Sequence, residues 1–148
     1  MRFRNWWSLL LCGVLCGGFL LCCGMFRNLY GSAAGGVETG REYYLYSPSS
    51  QAKIATSLSL ADYFSLVGEK YTLRFSSVAE ANAYAERLLI AKGAQTVLEE
   101  RVAGVRCIYA YITDGRKAVQ IADGRVNLHL AICGREVQVG TPIIFGGY

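Results

Sequence analysis

Between Arg4 and Arg27 the chain carries no charged side chain, and Trp6 to Phe26 is a run of 21 largely apolar positions. As a helix it spans roughly 31 Å at ~1.5 Å per residue, close to the ~30 Å hydrocarbon core of a bilayer. Trp6 and Trp7 fall where an aromatic belt would lie, with Arg2 and Arg4 on the same flank and Arg27 alone on the other. That asymmetry predicts a cytoplasmic N-terminus and a C-terminal domain outside the membrane. A cleaved signal peptide, with Ser32-Ala33-Ala34 as its cleavage site, is the competing reading, but its apolar core is normally shorter. A lipoprotein signal is disfavoured, because Leu11, Leu15, Leu21 and Cys22 precede Cys12, Cys16, Cys22 and Cys23 where a small residue is expected. The segment therefore reads as an anchor over residues 1–27, followed by a glycine-rich linker over 28–40 and a folded domain over 41–148.

In that domain the pattern changes period. Glu42–Tyr46 is aromatic and strand-like, Ala52–Leu60 alternates weakly, and Lys70–Phe75 alternates clearly with Tyr71, Leu73 and Phe75 on one side. Ser77 then predicts a helix cap, with Glu80 completing a capping box. Val78, Ala81, Ala85, Leu88 and Leu89 recur at helical spacing, and Gly93 ends the helix after Lys92. Beyond it, Ala103-Gly104, Asp114-Gly115, Asp123-Gly124 and Cys133-Gly134 punctuate short strands over 96–102, 105–113, 116–122, 125–132 and 135–140. Successive hairpins predict an antiparallel meander. The expected fold class is α+β, a curved antiparallel sheet with one helix packed on it. Val105–Thr113 is apolar on both sides: Val105, Cys107, Tyr109 and Tyr111 on one, Ile108, Ala110 and Ile112 on the other. Such a strand needs a second layer, a homodimer partner or another protein, unless its aromatic face is left partly exposed.

Composition sharpens the picture at two points. Hydrophobic residues make up 53% and charged residues 18% of 148, which excludes a disordered, highly charged chain. Of the net charge of +4, three charges come from the N-terminal flank (Arg2, Arg4 and Arg27), since residues 35–148 hold 12 basic and 11 acidic side chains. A domain near +1 lacks the concentrated positive face that nucleic-acid binding requires.

Candidate chemistry is sparse. The single histidine, His129, stands four residues from Cys133, roughly 13 Å along a strand at ~3.3 Å per residue, too far for a Cys–His pair. Cys107 and Cys133 form a candidate disulfide in an exported domain, or else pack as small apolar side chains. No phosphate loop, nucleophile elbow or zinc-protease motif is present, and no His/Cys/carboxylate spacing suits a zinc ion. No catalytic residue, cofactor or metal is expected. The candidate partner surface is Tyr109 and Tyr111, with Ile143, Ile144, Phe145 and Tyr148 of the tail, which otherwise close the core. A small exported thiol-dependent enzyme using Cys107, Cys133 and His129 is the alternative.

Two words carry a resemblance. Val126-Asn127-Leu128-His129-Leu130-Ala131 and Gly140-Thr141-Pro142-Ile143-Ile144, closing with Tyr148, resemble the C-terminal end of the YwmB-like proteins. These are exported proteins of Gram-positive bacteria with a TATA-box-binding-protein-like fold. The resemblance implies one strand–helix–meander unit of that fold and an accessory role in the bacterial envelope, with a link to sporulation. A groove-reading protein needs a saddle of two such units, so room for one unit disfavours DNA as a partner.

Overall fold

The computed structural model describes residues 35–48, 53–121 and 124–145. The anchor expected over residues 6–26 and the terminal Tyr148 lie outside the described residues. Among the described residues no helix is long and apolar enough to cross a membrane. Residues 36–148 form one compact unit.

Alternating apolar positions build an antiparallel sheet. Its strands are β1 (Val37–Leu45), β2 (Lys53–Ala55), β3 (Leu66–Arg74), β4 (Gln95–Val102), β5 (Val105–Tyr111), β8 (Leu128–Cys133) and β9 (Glu136–Thr141). The order across the sheet is β2-β1-β3-β9-β8-β5-β4. β6 (Val119–Ile121) and β7 (Gly124–Val126) pair separately as a small hairpin. Two strands expected over 116–122 and 125–132 are thus redistributed: the second divides at Asn127, and its first part leaves the main sheet. β1 starts at Val37, four residues before the expected domain boundary, because Val37 and Glu38 already pair with Arg74 and Leu73. The weak alternation of Ala52–Leu60 yields just three strand residues before a 3-10 turn at Asp62–Ser65.

The helix α1 (Val78–Ala91) follows the local signals closely. The Ser77 hydroxyl accepts from the Glu80 N–H at 3.1 Å. The Glu80 carboxylate, however, accepts from the N–H and hydroxyl of Ser76, not from Ser77. At the other end Gly93 takes φ +57°, and Gly93 and Ala94 donate to the carbonyls of Ile90 and Leu89, a Schellman stop. The buried stripe is Ala81, Tyr84, Ala85 and Leu89. Val78 is exposed and Tyr84 takes its place, its ring 5.0 Å from that of Phe75. The stripe rotates because a large aromatic there fills the space over β3 that an N-terminal valine cannot reach.

α1 packs over β8 and β9. Directly opposed residues share a face, so the helix side of the sheet carries Leu73, Val137, Ile132, Leu130 and Ile108, all buried. Arg106 clamps the helix to this side. Its guanidinium donates to Glu99 at 2.7 Å, Glu86 at 2.8 Å and Asn82 at 3.1 Å. These acidic partners push the Arg106 pKa further up.

Candidate functional site

Among the described residues no helix lies over the other face of the sheet. Register places Tyr109 opposite His129, His129 opposite Gly140, and Gly140 opposite Lys70. The neighbouring row runs Cys107, Ala131, Gln138 and Thr72. Val105, Cys107, Ala131 and Ile144 form a buried cluster, with Tyr109 against it. The second layer that β5 demanded is therefore supplied in part by the tail of the same chain.

The tail lies flat because two glycines leave room for it. A Cβ on Gly68 would stand 2.3 Å from the Thr141 carbonyl oxygen. One on Gly140 would stand 2.6 Å from Ile144 Cγ1 and 2.8 Å from the Ile144 nitrogen. Two polar contacts then pin the segment. The Ile144 N–H donates to His129 Nδ1 at 3.2 Å, and the buried Tyr44 hydroxyl donates to the Phe145 carbonyl at 3.1 Å. The Tyr44 and Phe145 rings meet edge to face at 5.0 Å.

His129 is 1% exposed and stacks on Tyr109, with centroids 4.1 Å apart. Accepting at Nδ1 assigns its ring proton to Nε2. Burial pushes its pKa down to about 4, so the ring is neutral at physiological pH. It serves as a backbone acceptor for the tail. Asn127, equally buried, does the corresponding work on β5: the Ile112 N–H donates to Asn127 Oδ1 at 2.7 Å, and Asn127 Nδ2 donates to the Ile112 carbonyl at 2.7 Å. Its amide continues the ladder where β5 has ended.

The residues singled out from the sequence fall into three groups. Ile144 is buried, Ile143 is half-buried and Phe145 is partly exposed, at the edge of the strap. Tyr109 and Tyr111 are half-buried; the Tyr109 hydroxyl donates to Glu100 at 3.1 Å, and the Arg125 guanidinium lies 5.4 Å from the centre of the Tyr111 ring. Cys107 is buried and Cys133 exposed, and no disulfide joins them. This corrects the candidate bridge. Cys107 faces Ala131, which leaves Cys133 a diagonal position away at ~7–8 Å, beyond the usual Cα separation of a disulfide.

Sequence reasoning missed the structural weight of Asn127, Tyr44 and the two glycines. A signal for Asn127 was available: a polar residue at the break between two apolar strand words needs partners if it is buried. Chemically, the cluster offers a sealed thiol and a neutral imidazole under a backbone strap. A nucleophilic thiolate needs access and a lowered pKa, and Cys107 is fully buried. Among the described residues no group of three or more His, Cys, Asp or Glu side chains could hold a metal ion. No family model, curated protein or solved structure matches this chain.

Proposed function

We propose that the chain is a membrane-anchored, extracytoplasmic interaction domain of the bacterial cell envelope, acting without catalysis as an accessory factor. The charge-free run between Arg4 and Arg27 carries this reading, since it matches a bilayer in length and places the excess positive charge on one side. A tethered domain meets its partners at raised local concentration, which suits a protein whose buried histidine and thiol are committed to packing. The resemblance of residues 126–131 and 140–144, with the closing Tyr148, to the YwmB-like proteins supports the envelope and a sporulation link. The antiparallel sheet with one α-helix among the described residues is compatible with one unit of their TATA-box-binding-protein-like fold.

Protease added to intact cells tests the topology, with the C-terminus followed by a small epitope. Loss of the epitope from intact cells, together with membrane fractionation of the full chain, is the expected result. Full-length protein dissolved in the cytosol would overturn the reading.

A further inference from the structure

Among the described residues ten large apolar side chains are exposed, and six of them sit on β1, β2 and the segments that follow each: Val37, Tyr46, Ile54, Leu60, Tyr63 and Phe64. Phe64 is 96% and Leu60 86% exposed. These two are held out by a built turn. The Ser59 N–H and hydroxyl donate to Asp62 Oδ2 at 2.9 and 2.7 Å, the Ser65 hydroxyl donates to the Asp62 carbonyl at 3.1 Å, and the Tyr46 N–H donates to the Ser65 carbonyl at 2.7 Å. An ordered turn that presents phenylalanine and leucine to water, flanked by tyrosines, lacks its apolar counterpart.

We infer that this edge of the sheet rests on a lipid surface. Leu60 and Phe64 enter the boundary between headgroups and acyl chains, and Tyr46 and Tyr63 lie at headgroup level, where a ring with one apolar body and one polar tip is favoured. For its tether, the inference rests on the anchor reading. Ten residues, 27–36, separate the apolar run from β1, and they reach at most ~35 Å. β1 is itself ~30 Å long at ~3.3 Å per residue. The tether therefore allows the sheet to lie on its β1–β2 side, with Val37 at one end of the contact and Tyr46 at the other. Lys53 and Asp62 are the charged groups within the two short segments that carry Ile54, Leu60, Tyr63 and Phe64. They balance, and on β1 Glu38 pairs with Arg41 at 2.8 Å and Glu42 with Lys70 at 3.1 Å, so the contact carries little net charge and weakens less with salt than a charge-steered one would.

The test uses the full chain with Trp6→Phe, Trp7→Phe and Phe64→Trp, which leaves one tryptophan at an exposed position that the fold does not depend on. It is reconstituted in mixed zwitterionic and anionic vesicles, with and without bromine on the upper acyl chain. Flotation is measured before and after an alkaline carbonate wash. The expected result is carbonate-resistant flotation, with blue-shifted tryptophan emission that brominated lipid quenches. Carbonate-resistant flotation with water-like, unquenched emission overturns the inference and leaves the anchor standing. Blue-shifted emission that brominated lipid leaves unchanged also overturns it, and assigns the edge to a second copy of the chain. Flotation that carbonate removes and that Leu60→Ser with Phe64→Ser abolishes supports the inference while refuting the anchor. Absence of flotation overturns both.

Discussion

Replacing Asn127 by alanine isolates the contribution of one buried side chain to the sheet. The amide of Asn127 satisfies both backbone groups of Ile112, each at 2.7 Å, and both residues are buried. Asn127→Ala strands one donor and one acceptor without a partner, at ~1–3 kcal/mol each, for a total of about 2–6 kcal/mol. A water entering the vacated space would bring the loss toward the lower figure. For a domain of this size unfolding entropy is about 0.24 kcal/mol/K, so each kcal/mol corresponds to ~4 °C. A fall in Tm of about 8–24 °C is expected in thermal unfolding followed by circular dichroism, with a matching shift of the urea midpoint. Asn127→Asp keeps the acceptor but sets a carboxylate oxygen against the Ile112 carbonyl, and at neutral pH it destabilises at least as much as alanine. A loss under ~0.5 kcal/mol for Asn127→Ala, the scale of an ordinary surface change, would refute the account of the amide as a continuation of the ladder.

Three further outcomes are expected. His129 has its folded-state pKa pushed down to about 4 against 6.5 for an exposed imidazole, so the unfolded chain binds more protons between those values. Stability from this group is complete above pH ~6.5 and declines as pH falls toward ~4, by about 1.4 kcal/mol per unit and ~3 kcal/mol in all; His129→Asn should flatten that part of the pH profile, and an unchanged slope would count against the buried neutral imidazole. The β4–β5 hairpin turns at Ala103 and Gly104 with φ of +51° and +86°, a conformation that costs alanine ~1–2 kcal/mol and suits Asn-Gly, so Ala103→Asn should raise Tm by a few degrees; a drop would show that the turn is held by something else. Gly68→Ala and Gly140→Ala each press a methyl against the tail backbone and should destabilise by ~1–3 kcal/mol while speeding hydrogen exchange at the Ile144 amide; neutral variants with full Ile144 protection would mean that the tail does not lie on those glycines.

The two faces of the sheet are closed by unlike means, and this bears on function. α1 covers one side with an apolar stripe built from residues close in sequence, and the Arg106 clamp ties it to the sheet. The opposite side depends on four residues, 142–145, held by His129 and Tyr44. Ile144 is part of the buried cluster there. Of the tail residues considered as a partner surface, Ile144 is thus spent on the fold, while Phe145 remains partly exposed at the margin.

What could be read without coordinates was whatever the chain decides locally. The Ser77 cap, the Gly93 stop and the hairpins at Ala103-Gly104 and Cys133-Gly134 depend on a few consecutive residues and their allowed φ values, so helix and turns appear where their signals stand. Binary alternation likewise showed that β5 is apolar on both sides, so that its aromatic face is either covered or left partly exposed. Tertiary structure alone decided what provides that cover. The pairing of β9 with β3, 60 and more residues apart, brings the tail over His129. The positions of Gly68 and Gly140 then leave room for it. No local pattern announces such an arrangement, because a buried polar group or a missing Cβ acquires meaning only from the backbone that another part of the chain lays against it.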